Sequence, residues 1–224
     1  MAQPSDIALL PDAGPLITLA YADALDVLML PGWQVRVVDM VQHEVTRNQT
    51  PTSKKLAKWL KRKSVQIVST QTFGLHAQAV AQSARKANLG ELAIQEAINQ
   101  MALAQPPQRA VLLFEDHRIA SANFYVPDDC LKVSTRAFLT YLQDKGWIDN
   151  ASDIERRAVL AGRQFSQLRF PPEGDHNPDL DPINAMRGSG AGGGSKRLIA
   201  KRKAEAKLTR PALRSSSLGA GPAL

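Results

Sequence analysis

Apolar and polar positions change their spacing several times along the first 165 residues, and each change marks an element. Four short apolar runs, IALLP at 7–11, QVRVV at 34–38, VQIV at 65–68 and AVLLF at 110–114, have strand length and aliphatic character. Between them hydrophobic residues recur at three and four, the spacing of amphipathic helices. The first helix should run from Pro15, since proline suits a first helical turn, to about Leu30, with Leu16, Leu19, Ala20 and Leu28 turned inward. A second is expected at about 41–47. TSKKLAKWLKRK, residues 52–63, begins at a Thr or Ser cap and gathers Leu56, Trp59 and Leu60 on one side and its lysines on the other. Helices near 75–86 and 90–103 follow, halted by Pro106 and Pro107. After the fourth strand come a helical turn near 116–120, an edge strand at about 130–133, a helix over 134–145 closed by Gly146, and a last helix over about 152–165. Strands alternating with helices specify an α/β fold with a parallel sheet.

The character of the chain changes near residue 168, which divides it into a folded domain over 1–168, a linker over 169–195 and a flexible basic tail over 196–224. The linker opens rich in proline and acid and ends in GSGAGGGS. GSGAGGGSK is not a phosphate-binding loop, because it lacks the G-K-[ST] ending and follows no strand. From Ala185 onward there are nine Lys or Arg and one acid, Glu205, so the net charge of +7 resides there and the domain is almost neutral. A basic tail on a neutral body suits a polyanionic partner such as nucleic acid. No run of about 18 apolar residues is present, and the N-terminus has no basic segment ahead of its apolar run, so a cytoplasmic protein with no membrane span is expected. Cys130, the single cysteine, excludes an internal disulfide and a cysteine-rich zinc site, and is expected to fill the core.

Chemistry is sought at the carboxyl ends of the strands, where open parallel sheets bind ligands. The four histidines, His43, His76, His117 and His176, show no metal-binding spacing, and no G-x-S-x-G elbow occurs. Acids are better placed. Asp12 follows the first strand, Glu115 and Asp116 follow the fourth, Glu44 lies early in the helix after the second strand, and Glu91 follows Gly90 at a helix start. Crowded carboxylates raise one another's pKa, and a hard divalent cation such as Mg²⁺ or Mn²⁺ removes the conflict. Such an ion also activates water and stabilises charge on a phosphoryl oxygen. Each acid keeps a plainer reading: Asp12 as a turn residue ahead of Pro15, Asp116 as a helix cap, Glu91 as a complement to the helix dipole, Glu44 as part of a solvated face.

DAGPLITLA after an apolar strand, VVDMVQHEVTR, NLGELAIQEAI, VLLFEDHRIA and the later VSTRAFLTYLQDKGWI resemble, in order and approximate spacing, the PIN-domain nucleases, the fold of VapC-like toxins, over about residues 5–165. The later motif, VSTRAFLTYLQDKGWI, resembles the pattern of an uncharacterised bacterial and archaeal branch of the family. The resemblance implies a three-layer α/β/α sandwich on a small parallel sheet. It implies Asp12, Glu44, Glu91 and Asp116 as the metal-binding and catalytic set, and Mg²⁺- or Mn²⁺-dependent cleavage of RNA. An antitoxin partner and a homodimer are further implications. The chain departs from the family's pattern at Gly14, where many members carry Ser or Thr, in the fourth motif, which often has two aspartates and here has Glu115, expected as a supporting group, before the ligand Asp116, and in its basic tail. A binding or regulatory protein with a weak or inactive PIN fold is therefore the alternative. No acid occurs between Val45 and Gly90, while Lys54, Lys55, Lys58, Lys61 and Arg62 cluster there. They are either an RNA-backbone track or a solvated helix face. Trp59 is expected in the core rather than under a base.

Overall fold

The computed structural model describes residues 7–80, 88–120 and 124–164. Five strands, β1 (Ile7–Pro11), β2 (Gln34–Val38), β3 (Val65–Val68), β4 (Arg109–Phe114) and β5 (Cys130–Ser134), form one sheet in the order β3-β2-β1-β4-β5. Every neighbouring pair is parallel, with Leu10 beside Leu112 and Val37 beside Ile67 in register. The central strands β1 and β4 are buried almost throughout, which explains their unbroken apolar runs: helices cover both faces, so no position alternates toward water. Strand β3, at an edge, buries only its first residue fully.

The helices are α1 (Ala13–Tyr21), α2 (Asp39–Thr46), α3 (Pro51–Trp59), α4 (Gln71–Val80), α5 (Leu89–Ala102), α6 (His117–Ala120), α7 (Thr135–Asp144) and α8 (Ala151–Leu160). Helix α1 packs against β1, β4, α3 and α8, whereas α5 packs against β2, β4 and α4, giving a helical layer on each side of the sheet. Right-handed crossovers require this arrangement, because the chain moves from β1 to β3 in one direction and then returns across β1 to β4 in the other. The reversal of winding opens a crevice beyond the carboxyl ends of β1 and β4.

The sequence pattern places the strands to within a residue, but helix ends differ: α3 ends at Trp59, short of the expected residue 63, and α4 begins at Gln71, ahead of the expected start near 75. The first helix stops at Tyr21 rather than near Leu30: the Ala24 amide closes back on Leu19 O, Asp23 adopts a left-handed φ of 52°, and a separate 3₁₀ turn carries Leu25–Met29. Thr50, not Thr52 or Ser53, caps α3, its hydroxyl accepting the Ser53 amide with Pro51 as the first helical residue. The last helix ends at Leu160, followed by Gly162 at φ 104°, and does not reach Phe165. The expected inward residues Leu16, Leu19, Ala20, Leu28, Leu56, Trp59 and Leu60 are all buried. So is Cys130, whose thiol burial pushes up to about 12. The end of the helix expected near 75–86 lies outside the described residues, as do the linker from 169 and the basic tail. No helix among the described residues is long and apolar enough to cross a membrane.

Candidate functional site

The crevice begins with the main chain. The Asp12 amide donates to Leu113 O (2.9 Å), which ties the residue after β1 to the end of β4 and brings Asp12 alongside Glu115 and Asp116. Asp12 occupies the N-cap of α1, yet its side chain makes no capping bond to the amides one turn in. Burial, reinforced by the negative charges of Glu44, Asp116 and Glu115, pushes its carboxyl from 3.8 up to about 7, while the Ala13 amide works the other way.

Glu44 projects from the second turn of α2 and has no hydrogen-bond or ionic partner among the described residues. Its Oε2 lies close to the start of α5, where a Cβ at Gly90 would stand 3.3 Å from it, so glycine there lets helix and carboxylate approach. Asp116 is exposed, and its Oδ1 accepts the Arg118 amide (2.9 Å), the capping role available to it before α6. Glu91, in the first turn of α5, is engaged differently: Arg118 Nη1 donates to its Oε1 (3.2 Å) and also to Asn88 Oδ1. Glu44 and Asp116 thus each act electrostatically on Asp12, with no cation among the causes that set its charge, whereas Glu91 has a cation beside it. No three Asp, Glu, His or Cys side chains among the described residues are grouped closely enough to form a ready-made metal cage.

Glu115 is a structural anchor. It is buried and accepts from Thr18 Oγ1 (2.9 Å), Thr135 Oγ1 (2.8 Å) and Arg163 Nη2 (2.9 Å), joining α1, α7 and the end of α8 to the strand end that carries Asp116. Arg163 Nε also donates to Thr18 Oγ1 (3.0 Å). The missing hydroxyl at Gly14 has its physical reason here, since a Cβ at that position would meet Glu115 Cβ at 3.1 Å and Oε2 at 3.3 Å. Glu115 occupies the space that a side chain at 14 would need, and Thr18 spends its hydroxyl on Glu115.

Of the five cations expected on the helix over 52–63, Lys54, Lys55 and Lys58 lie on α3, whereas Lys61 and Arg62 lie in the turn beyond its end at Trp59. Lys55 pairs with Asp23 (2.6 Å) and Arg62 with Asp26, both at the surface, while Lys54, Lys58 and Lys61 are exposed with no acidic partner among the described residues. Trp59 is core, its Nε1 donating to Asp26 (3.1 Å).

Arg163, Thr135, Arg118 and the buried Asp39 escaped the sequence reading. Asp39 accepts from its neighbour Met40 and from the amide (2.8 Å) and hydroxyl (2.7 Å) of Thr70, clamping the ends of β2 and β3 together. No local spacing pairs residue 163 with 115 or 39 with 70. Asp39 alone carried a hint, as an acid at a helix start directly after a strand. No protein-family model matches the chain, and no curated protein sequence does.

Proposed function

We propose that the chain is a divalent-metal-dependent ribonuclease of PIN type, with Asp12, Glu44 and Asp116 as the inner carboxylates and Glu91 as the outer one. The observation that carries this reading is the state of Asp12, a carboxyl driven to about 7 by burial and by three neighbouring acids, with no cation provided to relieve it. Hard oxygen donors of this kind fit Mg²⁺ or Mn²⁺, which bind through one or two carboxylates, keep their remaining waters and so do not require a closed cage. Bound there, such an ion supplies a water of lowered pKa and offsets charge on a phosphodiester oxygen. The chain's own residues do the rest. Asp12 and Asp116 would hold the ion from adjacent strand ends with Glu44 from α2, and the Glu115–Arg163 pair keeps the end of β4 in place. The resemblance of the sequence motifs to the PIN nucleases supports the same assignment.

The experiment is cleavage of structured RNAs by purified protein with Mn²⁺, wild type against an Asp12→Asn, Asp116→Asn double variant. The double variant is expected to lose cleavage by at least two orders of magnitude, and wild-type activity no higher than the variant's would reject the catalytic assignment. The engagement of Thr18 and the absence of a side chain at Gly14 favour a second reading, a binding protein on this fold that contacts RNA mainly through its tail. Deleting residues 188–224 separates the two, because a nuclease keeps its cleavage and a tail-dependent binder loses its affinity. An antitoxin partner is tested by the neighbouring reading frame, and a homodimer by sedimentation.

A further inference from the structure

The functional reading leaves one feature of the crevice rim unused. His43, one residue before Glu44 on α2, meets two rings from α4: Phe73 at 5.7 Å and His76 at 5.6 Å between centroids, with Phe73 and His76 themselves 6.4 Å apart. All three keep partial exposure, unlike the aromatic cluster of the core, where Trp33, Phe138 and Tyr141 are 5%, 0% and 2% exposed. His43 Nδ1 is buried without a hydrogen-bond partner, so ring contacts and not polar bonds set that imidazole's position. Beside the rings the surface stays open: nothing lies within 4 Å of where a Cβ at Gly74 would stand, and Leu75 is 61% exposed.

An anion is not the natural occupant. The first amides of α4, which would hold one, are already satisfied: Gln71 and Thr72 by Glu96, Phe73 by the Thr70 hydroxyl and Gly74 by Thr70 O. What the rim offers is partly exposed ring surface on α2 and α4, with His43 next to Glu44 in the chain, and the segment between the two helices' rings, residues 46–70, contains no acid and seven Lys or Arg. That combination matches single-stranded nucleic acid, whose bases stack on aromatic faces while the backbone follows cationic surface.

Building on the ribonuclease reading, we propose that His43, Phe73 and His76 form a base-stacking subsite, which holds a nucleobase of a single-stranded RNA next to the phosphodiester placed at Asp12, Glu44 and Asp116. The subsite selects for unpaired RNA, because a base must leave its duplex to reach the rings.

The test uses the full chain with Ca²⁺ and short oligoribonucleotides in which one base is replaced by 2-aminopurine, whose fluorescence falls on stacking. Wild type should quench the probe. Phe73→Leu and His76→Leu, which keep apolar volume but remove an aromatic face, should each restore fluorescence and weaken binding about tenfold. An abasic residue at the same position should weaken wild-type binding equally, a comparison that needs no protein variant and is immune to misfolding. Unchanged quenching and affinity in both variants, or an abasic strand bound as tightly as the intact one, would overturn the subsite. Mn²⁺-dependent cleavage is scored separately. Quenching without cleavage leaves the subsite standing and rejects the nuclease, cleavage without ring-dependent quenching does the reverse, and a chain that binds no RNA rejects both.

Discussion

Asp12 is fixed by its main chain, through the bond to Leu113 O, while its carboxylate has only the Ala13 amide to set against burial and three like charges. That imbalance is linked to folding. The unfolded group titrates near 3.8 and the folded one near 7, so between those values the folded state holds the extra proton, and stability falls as pH rises through the interval. In EDTA, Asp12→Asn should therefore gain stability over wild type progressively from pH 4 to pH 7 and level off above, by on the order of 2–4 kcal/mol in total. Thermal melts across pH measure it, and a difference that stays flat would mean that Asp12 is ionised throughout. Adding Mn²⁺ at pH 8 should narrow or invert the ranking, because the variant lacks one of the carboxylates and is stabilised less by binding. Gly14 belongs to the same scale. Its absent side chain follows from the position of Glu115, and Glu115 cannot readily yield because three donors from α1, α7 and Arg163 hold it.

Among the elements, strands were legible and helix connections were not. IALLP, QVRVV and VQIV match their strands residue for residue because a buried parallel strand must be apolar and short, a constraint written within five consecutive positions. The first helix overran its real end because the apolar spacing of Leu25 and Leu28 continues past Tyr21, while the break depends on a left-handed Asp23, a residue that tolerates αL without demanding it. The site divides along the same line. Asp12, Glu44 and Asp116 lie at strand or helix ends that sequence can place, whereas Arg118, Arg163 and Thr135 reach their partners through tertiary contacts that no local spacing encodes. The Glu96 side chain on α5 is a case in point, since it accepts the amides of Gln71 (2.6 Å) and Thr72 (3.0 Å) and so caps α4 from a neighbouring helix. Burial raises its pKa, but those amides and the Thr72 hydroxyl outweigh burial and bring it below the usual 4.5. The stabilisation is accordingly complete above the unfolded pKa and is lost as pH falls through the folded one. Glu96→Gln should speed hydrogen exchange of the α4 amides by roughly tenfold at neutral pH, about the worth of one charge-assisted bond, with little effect on β1 or β4. Uniform acceleration across the sheet would instead mean that Glu96 supports the global fold.

For the molecule as a whole, charge is the property that sequence states most directly and structure modifies most. The cations after β2 look equivalent in the sequence, but Lys55 and Arg62 are drawn to Asp23 and Asp26 on the connection between α1 and β2, leaving Lys54, Lys58 and Lys61 exposed and unpaired among the described residues. Exposed pairs of this sort add little to stability, so their effect falls on what the surface offers a partner. If α3 and the turn after it guide RNA, the three unpaired lysines supply the phosphate contacts, each releasing counterions on binding. Single-stranded RNA affinity measured against salt should then show a log–log slope shallower by roughly 2 in a Lys54→Gln, Lys58→Gln, Lys61→Gln variant, at about 0.7 per contact. The Lys55→Gln, Arg62→Gln pair should change the slope by less than about 1. The nine cations beyond Ala185 contribute a slope of their own, so the comparison is made with and without residues 188–224. A slope that vanishes with the tail and ignores the three lysines would assign RNA contact to the tail and leave α3 a solvated face. A lysine-dependent slope surviving truncation would place the backbone track on the domain itself.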